Sequence, residues 1–251
     1  MDKNSINLDS FGGEIRAAVV GASGGIGRAF VEHLSERAEV VSVHACSRSG
    51  AALEADKVTS LSLDFMDEPS VESCAETIRK AGRVNLIVVA TGMLHDEGVA
   101  PEKSLKDIGI ADFSQILKIN TIGPALVFKH FLPLIPKDKR SVTTALSARV
   151  GSITDNGLGG WYAYRASKSA LNMVIKNAAI ETGRRYKQAV IAGIHPGTVD
   201  TDLSKPFQGN VPEGKLFSPE YSTACMLNVL NGLSPEDSGK CFDYAGQEIL
   251  P

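Results

Sequence analysis

Residues 16–27 read Arg16-Ala17-Ala18-Val19-Val20-Gly21-Ala22-Ser23-Gly24-Gly25-Ile26-Gly27. The run Arg16–Val20 is apolar on both faces, as a strand buried in a parallel sheet has to be. Past the glycines, Ile26, Phe30 and Leu34 recur every four residues, the period of a helix with one buried face. Glycines between such a strand and such a helix permit a tight turn and close backbone approach. The helix N-terminus then presents free N–H groups to a pyrophosphate. The spacing is G-x-x-x-G-x-G rather than G-x-G-x-x-G, but the mechanics are the same. The stretch predicts a strand–turn–helix unit whose Gly21, Ser23, Gly24, Gly25, Ile26 and Gly27 face a dinucleotide.

The same alternation continues along the chain. Strands are expected at Val40–Ala45, Val58–Leu63, Leu86–Ala90, Ser141–Leu146, Ala189–Ile194 and Cys241–Tyr244. Helical patterns fill Glu68–Ala81, Asp112–Leu132, Ala163–Thr182 and Pro219–Leu230. Short strands separated by helices specify a parallel sheet with crossover helices. No repeat, low-complexity tract or linker divides the sequence. One doubly wound α/β domain over 15–251 is expected, with a mostly parallel seven-stranded sheet, after a flexible polar segment over 1–14.

Composition narrows the function classes. With 26 Lys+Arg against 29 Asp+Glu, 43% hydrophobic and 22% charged residues, the chain is an ordinary globular mixture. A net charge of −3 gives no electrostatic footprint for nucleic acid or an anionic membrane. No apolar run approaches the ~18 residues of a membrane span. The polar start is unlike a signal peptide, and the four scattered cysteines read as reduced core residues, so the cytoplasm is the expected compartment. The five histidines share no ligand spacing, and no metal site is expected.

Two further segments carry chemistry. The second strand ends Val43-His44-Ala45-Cys46-Ser47-Arg48-Ser49, with no acid to accept from a ribose 2′-hydroxyl. Arg48 instead offers a guanidinium to a 2′-phosphate, with Ser47 beside it, which favours NADP(H) over NAD(H). Tyr164 and Lys168 stand four apart, on one face of a helix. A cation there favours the phenolate and should lower a phenol pKa from its reference near ~10.

Together these landmarks resemble the classical short-chain dehydrogenases/reductases, over about Arg16 to Leu250. They occur in family order: the Gly21–Gly27 turn, Asp64, Ala90-Thr91-Gly92, Asn120, Ser147, Tyr164 with Lys168, and Pro196-Gly197-Thr198-Val199-Asp200-Thr201. Leu146–Ile153 and the Asp155–Gly160 insert are similar to the C-factor and sniffer carbonyl-reductase subgroup. The resemblance implies a Rossmann fold and hydride transfer between NADP(H) and a carbonyl or alcohol substrate. It makes Tyr164 the acid or base, Lys168 its electrostatic partner, Ser147 the donor to the substrate oxygen and Asn120 the keeper of a relay water. Asp64 and Phe65 would border the adenine. Ala90, Thr91 and Gly92 would line the cofactor, and Pro196, Gly197, Val199 and Thr201 would hold its carboxamide and pyrophosphate. Two positions depart from the family pattern. Ala90-Thr91-Gly92 replaces its Asn-Ala-Gly, and Ala148 stands where many members place the serine, leaving Ser147 or Ser152 for that role. The resemblance also implies a homodimer or homotetramer. A cofactor-binding signalling module of C-factor type is the alternative function.

Overall fold

The computed structural model describes residues 6–50 and 55–251. Seven strands form a parallel sheet: β1 (Ile15–Val20), β2 (Val40–Ser47), β3 (Val58–Ser62), β4 (Leu86–Val89), β5 (Ser141–Leu146), β6 (Ala189–His195) and, after a small β7 (Thr198–Val199) and β8 (Leu216–Phe217) pair, β9 (Cys241–Asp243). The order is β3-β2-β1-β4-β5-β6-β9, so the winding reverses between β1 and β4. In open α/β sheets that reversal opens a crevice at the carboxyl ends of the strands.

Because side chains alternate along a strand, β1 feeds two cores. Ala17 and Val19 pack with α1 (Gly25–Ser35) and α6 (Pro219–Gly232) through Phe30, Leu34, Met226 and Leu227. Ala18 and Val20 face the opposite side. There they join α2 (Glu68–Ala81), α4 (Gly123–Phe131) and α5 (Tyr162–Gly183) through Ile78, Val127 and Leu171. Both faces of the sheet are therefore covered, which is why its strands read as continuous apolar runs.

Two expectations are corrected. The helix expected over Asp112–Leu132 is broken into α3 (Ile110–Leu117), a π-helical turn at Lys118–Ile122, and α4. The widened turn holds the fully buried Asn120, and such π turns recur at functional sites. The segment expected to be flexible over 1–14 is docked from residue 6 onwards. Ile6, Leu8 and Phe11 join the α1–α6 core, and the Asn7 and Ser10 amides donate to Asn228 and Asn231 of α6. Arg140 closes this corner, stacking 5.5 Å from the Phe11 ring centre while donating to the Leu230 and Asn231 carbonyls.

Phe11→Ala should therefore destabilise the fold by about 3 kcal/mol, the cost of emptying a buried aromatic site. Urea unfolding measures this. An unchanged midpoint would show that the segment contributes nothing to the core.

Candidate active site

The glycine turn is held by sterics. A Cβ on Gly27 would lie 2.1 Å from the Gly21 carbonyl oxygen, and one on Gly21 (φ +90°) 2.9 Å from the Ala90 oxygen. Only glycine lets α1 start this close to β1 while β4 ends beside it. No side chain caps α1 at Gly24, so the N–H groups of its first turn, around Gly25, Ile26 and Gly27, open to the crevice. Thr91 stands over the turn, its methyl 2.9 Å from the same Cβ position on Gly21. The Thr91 hydroxyl is buried, with no hydrogen-bond partner among the described residues. On the other side the Thr201 methyl comes within 2.9 Å of a Cβ position on Gly25. The turn, the end of β4 and the loop after β6 thus converge, as the sequence predicts.

At the end of β2, Ser47 is buried and Arg48 is exposed. Among the described residues the Arg48 guanidinium has no ion-pair partner, and its backbone carbonyl accepts from Ser62. Asp64 is occupied locally, accepting from the Met66 amide at 2.9 Å. Phe65 packs against Gly123, where a Cβ would come within 2.3 Å of its ring.

The proton-handling residues lie further along the crevice, on α5. A buried carboxylate sets its start. Glu102, 7% exposed, accepts the Ala163 amide at 3.3 and 3.2 Å, and its carbonyl accepts the Trp161 amide at 2.6 Å. Negative charge at a helix N-terminus is favourable. No motif points to Glu102, which lies 61 residues away from the amide it caps. Trp161, with φ 51°, is the one non-glycine residue at positive φ among those described.

Tyr164 is half-buried and Lys168 buried, with the ammonium 5.7 Å from the phenol ring centre. Lys168 donates to the Leu146 carbonyl at 2.8 Å. Asn120 is fully used: it accepts from the Met93 amide and donates to the Met93 carbonyl and the Ser167 hydroxyl. Gly92 leaves room between them, since a Cβ there would sit 3.5 Å from Lys168 Nζ and 3.8 Å from Asn120 Oδ1. Burial pushes the Lys168 ammonium down to about 8 and the Tyr164 phenol up to about 12. The expectation that the cation would lower the phenol pKa therefore does not hold here. Desolvation outweighs an ammonium whose hydrogen bond goes to Leu146.

Ser147 also differs from expectation. It lies in the wall of the Tyr164 cavity, but its hydroxyl lies 2.6 Å from Asn172 Oδ1, on the face of α5 that Tyr164 and Lys168 share. It also contacts the buried Cys241 thiol. Among the described residues no hydrogen bond joins Ser147 to Tyr164. Ser147 faces α5, as Ala145 does two residues earlier, and there its hydroxyl is taken by Asn172. Ser152 is no substitute, because it lies outside the cavity wall and accepts the Asp155 amide.

One cavity of about 430 Å³ brings Ile26, Ser147, Tyr164, Pro196, Gly197, Val199 and Thr201 together. Arg48, Asp64 and Phe65 lie outside it. Among the described residues no cluster of His, Cys, Asp or Glu could hold a metal ion, and no helix is long and apolar enough to cross a membrane.

A reversed parallel sheet with a glycine turn and a Tyr–Lys pair on one helix is the architecture of an oxidoreductase acting at carbonyl or alcohol carbon. The chain belongs to the short chain dehydrogenase family, whose model matches residues 16–211. It is 33% identical to the 1-hydroxy-2-glutathionyl-2-methyl-3-butene dehydrogenase of Rhodococcus sp. (strain AD45), over 92% of this chain and 97% of that one. It is 37% identical to the C-signal protein of Myxococcus xanthus, over 58% of this chain and 82% of that one. In structure it is similar to the NADPH-bound carbonyl reductase from chicken fatty liver. The TM-score is 0.80 at 25% identity, covering 98% of this chain and 100% of that one.

Proposed function

We propose that this chain is a cytoplasmic NADP-dependent oxidoreductase that interconverts a carbonyl and an alcohol, with Tyr164 and Lys168 handling the proton. The observation that carries the reading is the single cavity in which Tyr164 faces Ile26 of the glycine turn and the loop 196–201. When bound, NADP(H) supplies the hydride. The NADPH in the chicken carbonyl reductase supports that cofactor, as does the exposed Arg48 at the end of β2.

The chain's own residues do the rest. The first turn of α1, with Ser23 and Gly24, meets the pyrophosphate, and Arg48 with Ser47 takes the 2′-phosphate. Asp64 and Phe65 border the adenine, Ala90, Thr91 and Gly92 line the dinucleotide, and Pro196, Gly197, Val199 and Thr201 hold its far end. Tyr164 gives its phenolic proton to the substrate oxygen, or takes it back in oxidation, while Lys168 balances the charge. Asn120 fixes the wall behind Lys168. Ser147, bound to Asn172, holds α5 in register and leaves the substrate oxygen to Tyr164. The likeness to C-signal favours a second reading, a signalling module with incidental turnover, which predicts no dependence of function on the phenol.

NADPH oxidation with a panel of carbonyl compounds tests the assignment. Tyr164→Phe should lower the rate by about 10²–10⁴-fold, the range for loss of a general acid, with cofactor binding unchanged. Ser147→Ala should cost under about tenfold, because its hydroxyl serves Asn172. Equal losses in the two variants would restore Ser147 to a direct role, and a Tyr164→Phe variant at wild-type rate would sink the mechanism.

Arg48→Ala should weaken NADPH binding by about 1.5–3 kcal/mol, the worth of a charge-assisted contact, and leave NADH binding unchanged. Equal wild-type affinity for the two cofactors would contradict the assignment.

The outer faces of α4 and α5 border a groove in which Ala125, Phe128, Val174 and Ala178 are rimmed by Lys129, Glu181, Arg184 and Arg185, with Met173 and Ile180 of α5 exposed. This supports a homodimer built on these helices. Light scattering at micromolar concentration should then give twice the chain mass of 26.6 kDa, and a single-chain mass would exclude it.

A further inference from the structure

Trp161, Tyr164 and Phe207 line the substrate end of the cavity. Trp161 and Tyr164 meet edge to face at 6.2 Å between ring centres, and Trp161 meets Phe207 the same way at 5.1 Å. Phe207 continues the chain to His95 at 5.6 Å, outside the cavity wall. A substrate carbonyl placed on the Tyr164 phenol must therefore put its substituent against Trp161 and Phe207. Leu94 and Val211 complete an apolar surround.

The backbone at Trp161 points the same way. It follows Gly159 and Gly160, at φ +66° and +65°, and is itself left-handed at φ 51° and ψ 46°. A bulky side chain is disfavoured in that region, and strain of this kind collects where a side chain has to be aimed. Here the strained residue aims an indole into the cavity, held by its amide bond to the Glu102 carbonyl.

Charges of both signs lie in the same wall. Arg149 pairs with the buried Asp243 at 3.0 Å. Arg165 donates to the Val150, Gly159 and Gly160 carbonyls at 3.1–3.3 Å. Asp155 brings a carboxylate to the same wall, so with Asp243 the two guanidiniums are balanced and no surplus positive charge is left to draw an anionic substrate.

Resting on the oxidoreductase reading above, we infer that the substrate is an uncharged, flat carbonyl compound, an aryl aldehyde or aryl ketone, selected by Trp161 and Phe207. Aromatic pairs in edge-to-face or offset contact gain more than their buried area alone, and this wall places Trp161 and Phe207 in the same cavity as the proton donor.

Trp161 is the only tryptophan in the chain, so its fluorescence reports directly on the occupant. Three ketones serve as probes: acetophenone, cyclohexyl methyl ketone (the saturated counterpart) and benzoylformate (flat but anionic). Acetophenone should quench Trp161 saturably, with a Kd at least about tenfold below the other two. Phe207→Ala should raise the acetophenone Kd by about five- to tenfold and leave NADPH binding unchanged. Equal affinities for the three ketones, or no quenching by any of them, would overturn the selectivity. NADPH oxidation with the same ketones keeps the two readings apart. Equal kcat/KM for all three upholds carbonyl reduction and rejects the aromatic gate. Selective binding with no turnover of any ketone upholds the gate and rejects carbonyl reduction.

Discussion

The geometry of the site depends on a buried ammonium. Lys168 is 2% exposed and has no ion-pair partner among the described residues; its bond to the Leu146 carbonyl ties α5 to the end of β5. Removing an ammonium from water is expensive, and one carbonyl repays only part of the cost. That imbalance is what pushes its pKa down to about 8. The position persists because its neighbours fix it from several directions. One helical turn on, Asn172 bonds to Ser147, and on the far side Ser167 accepts from Asn120. Tyr164, one turn earlier on the same face, inherits its placement from these contacts.

The parallel sheet explains why distant segments meet there. All seven strands run the same way, so every loop at the carboxyl edge opens on the same side. The reversal between β1 and β4 parts two of those loops and leaves the glycine turn against Ala90. The loop after β6 then reaches back until Thr201 meets Gly25. Ile26, Tyr164 and Thr201 are far apart in sequence, yet they share one cavity wall.

How much of this was legible in the sequence follows from where the information lies. Strands buried on both faces announce themselves by composition, and β5 and α2 have the boundaries their patterns predict. The π turn around Asn120 leaves the apolar spacing nearly helical, so periodicity alone reads one helix where there are three pieces. Ile6, Leu8 and Phe11 are too sparse to show a period and are buried only because α6 offers them a surface. The choice of serine turns on the partner each hydroxyl finds, Asn172 for Ser147 and the Asp155 amide for Ser152, and the motif cannot report those contacts. Glu102 and the Trp161 conformation are tertiary facts with no local signature.

Desolvation also sets the protonation states of the Tyr164–Lys168 pair. A phenol held near 12 keeps its proton throughout the neutral range. In the proposed reaction the phenolate appears in both directions. It is left behind when the proton goes to a carbonyl oxygen, and it is required beforehand when an alcohol is oxidised. The same burial disfavours it in each case. The neighbouring ammonium offsets part of that cost. With its pKa lowered to about 8, Lys168 carries its charge below that pH and loses it as the pH rises through that value. Support for the phenolate is thus present below about 8 and fades above it, for proton transfer either way.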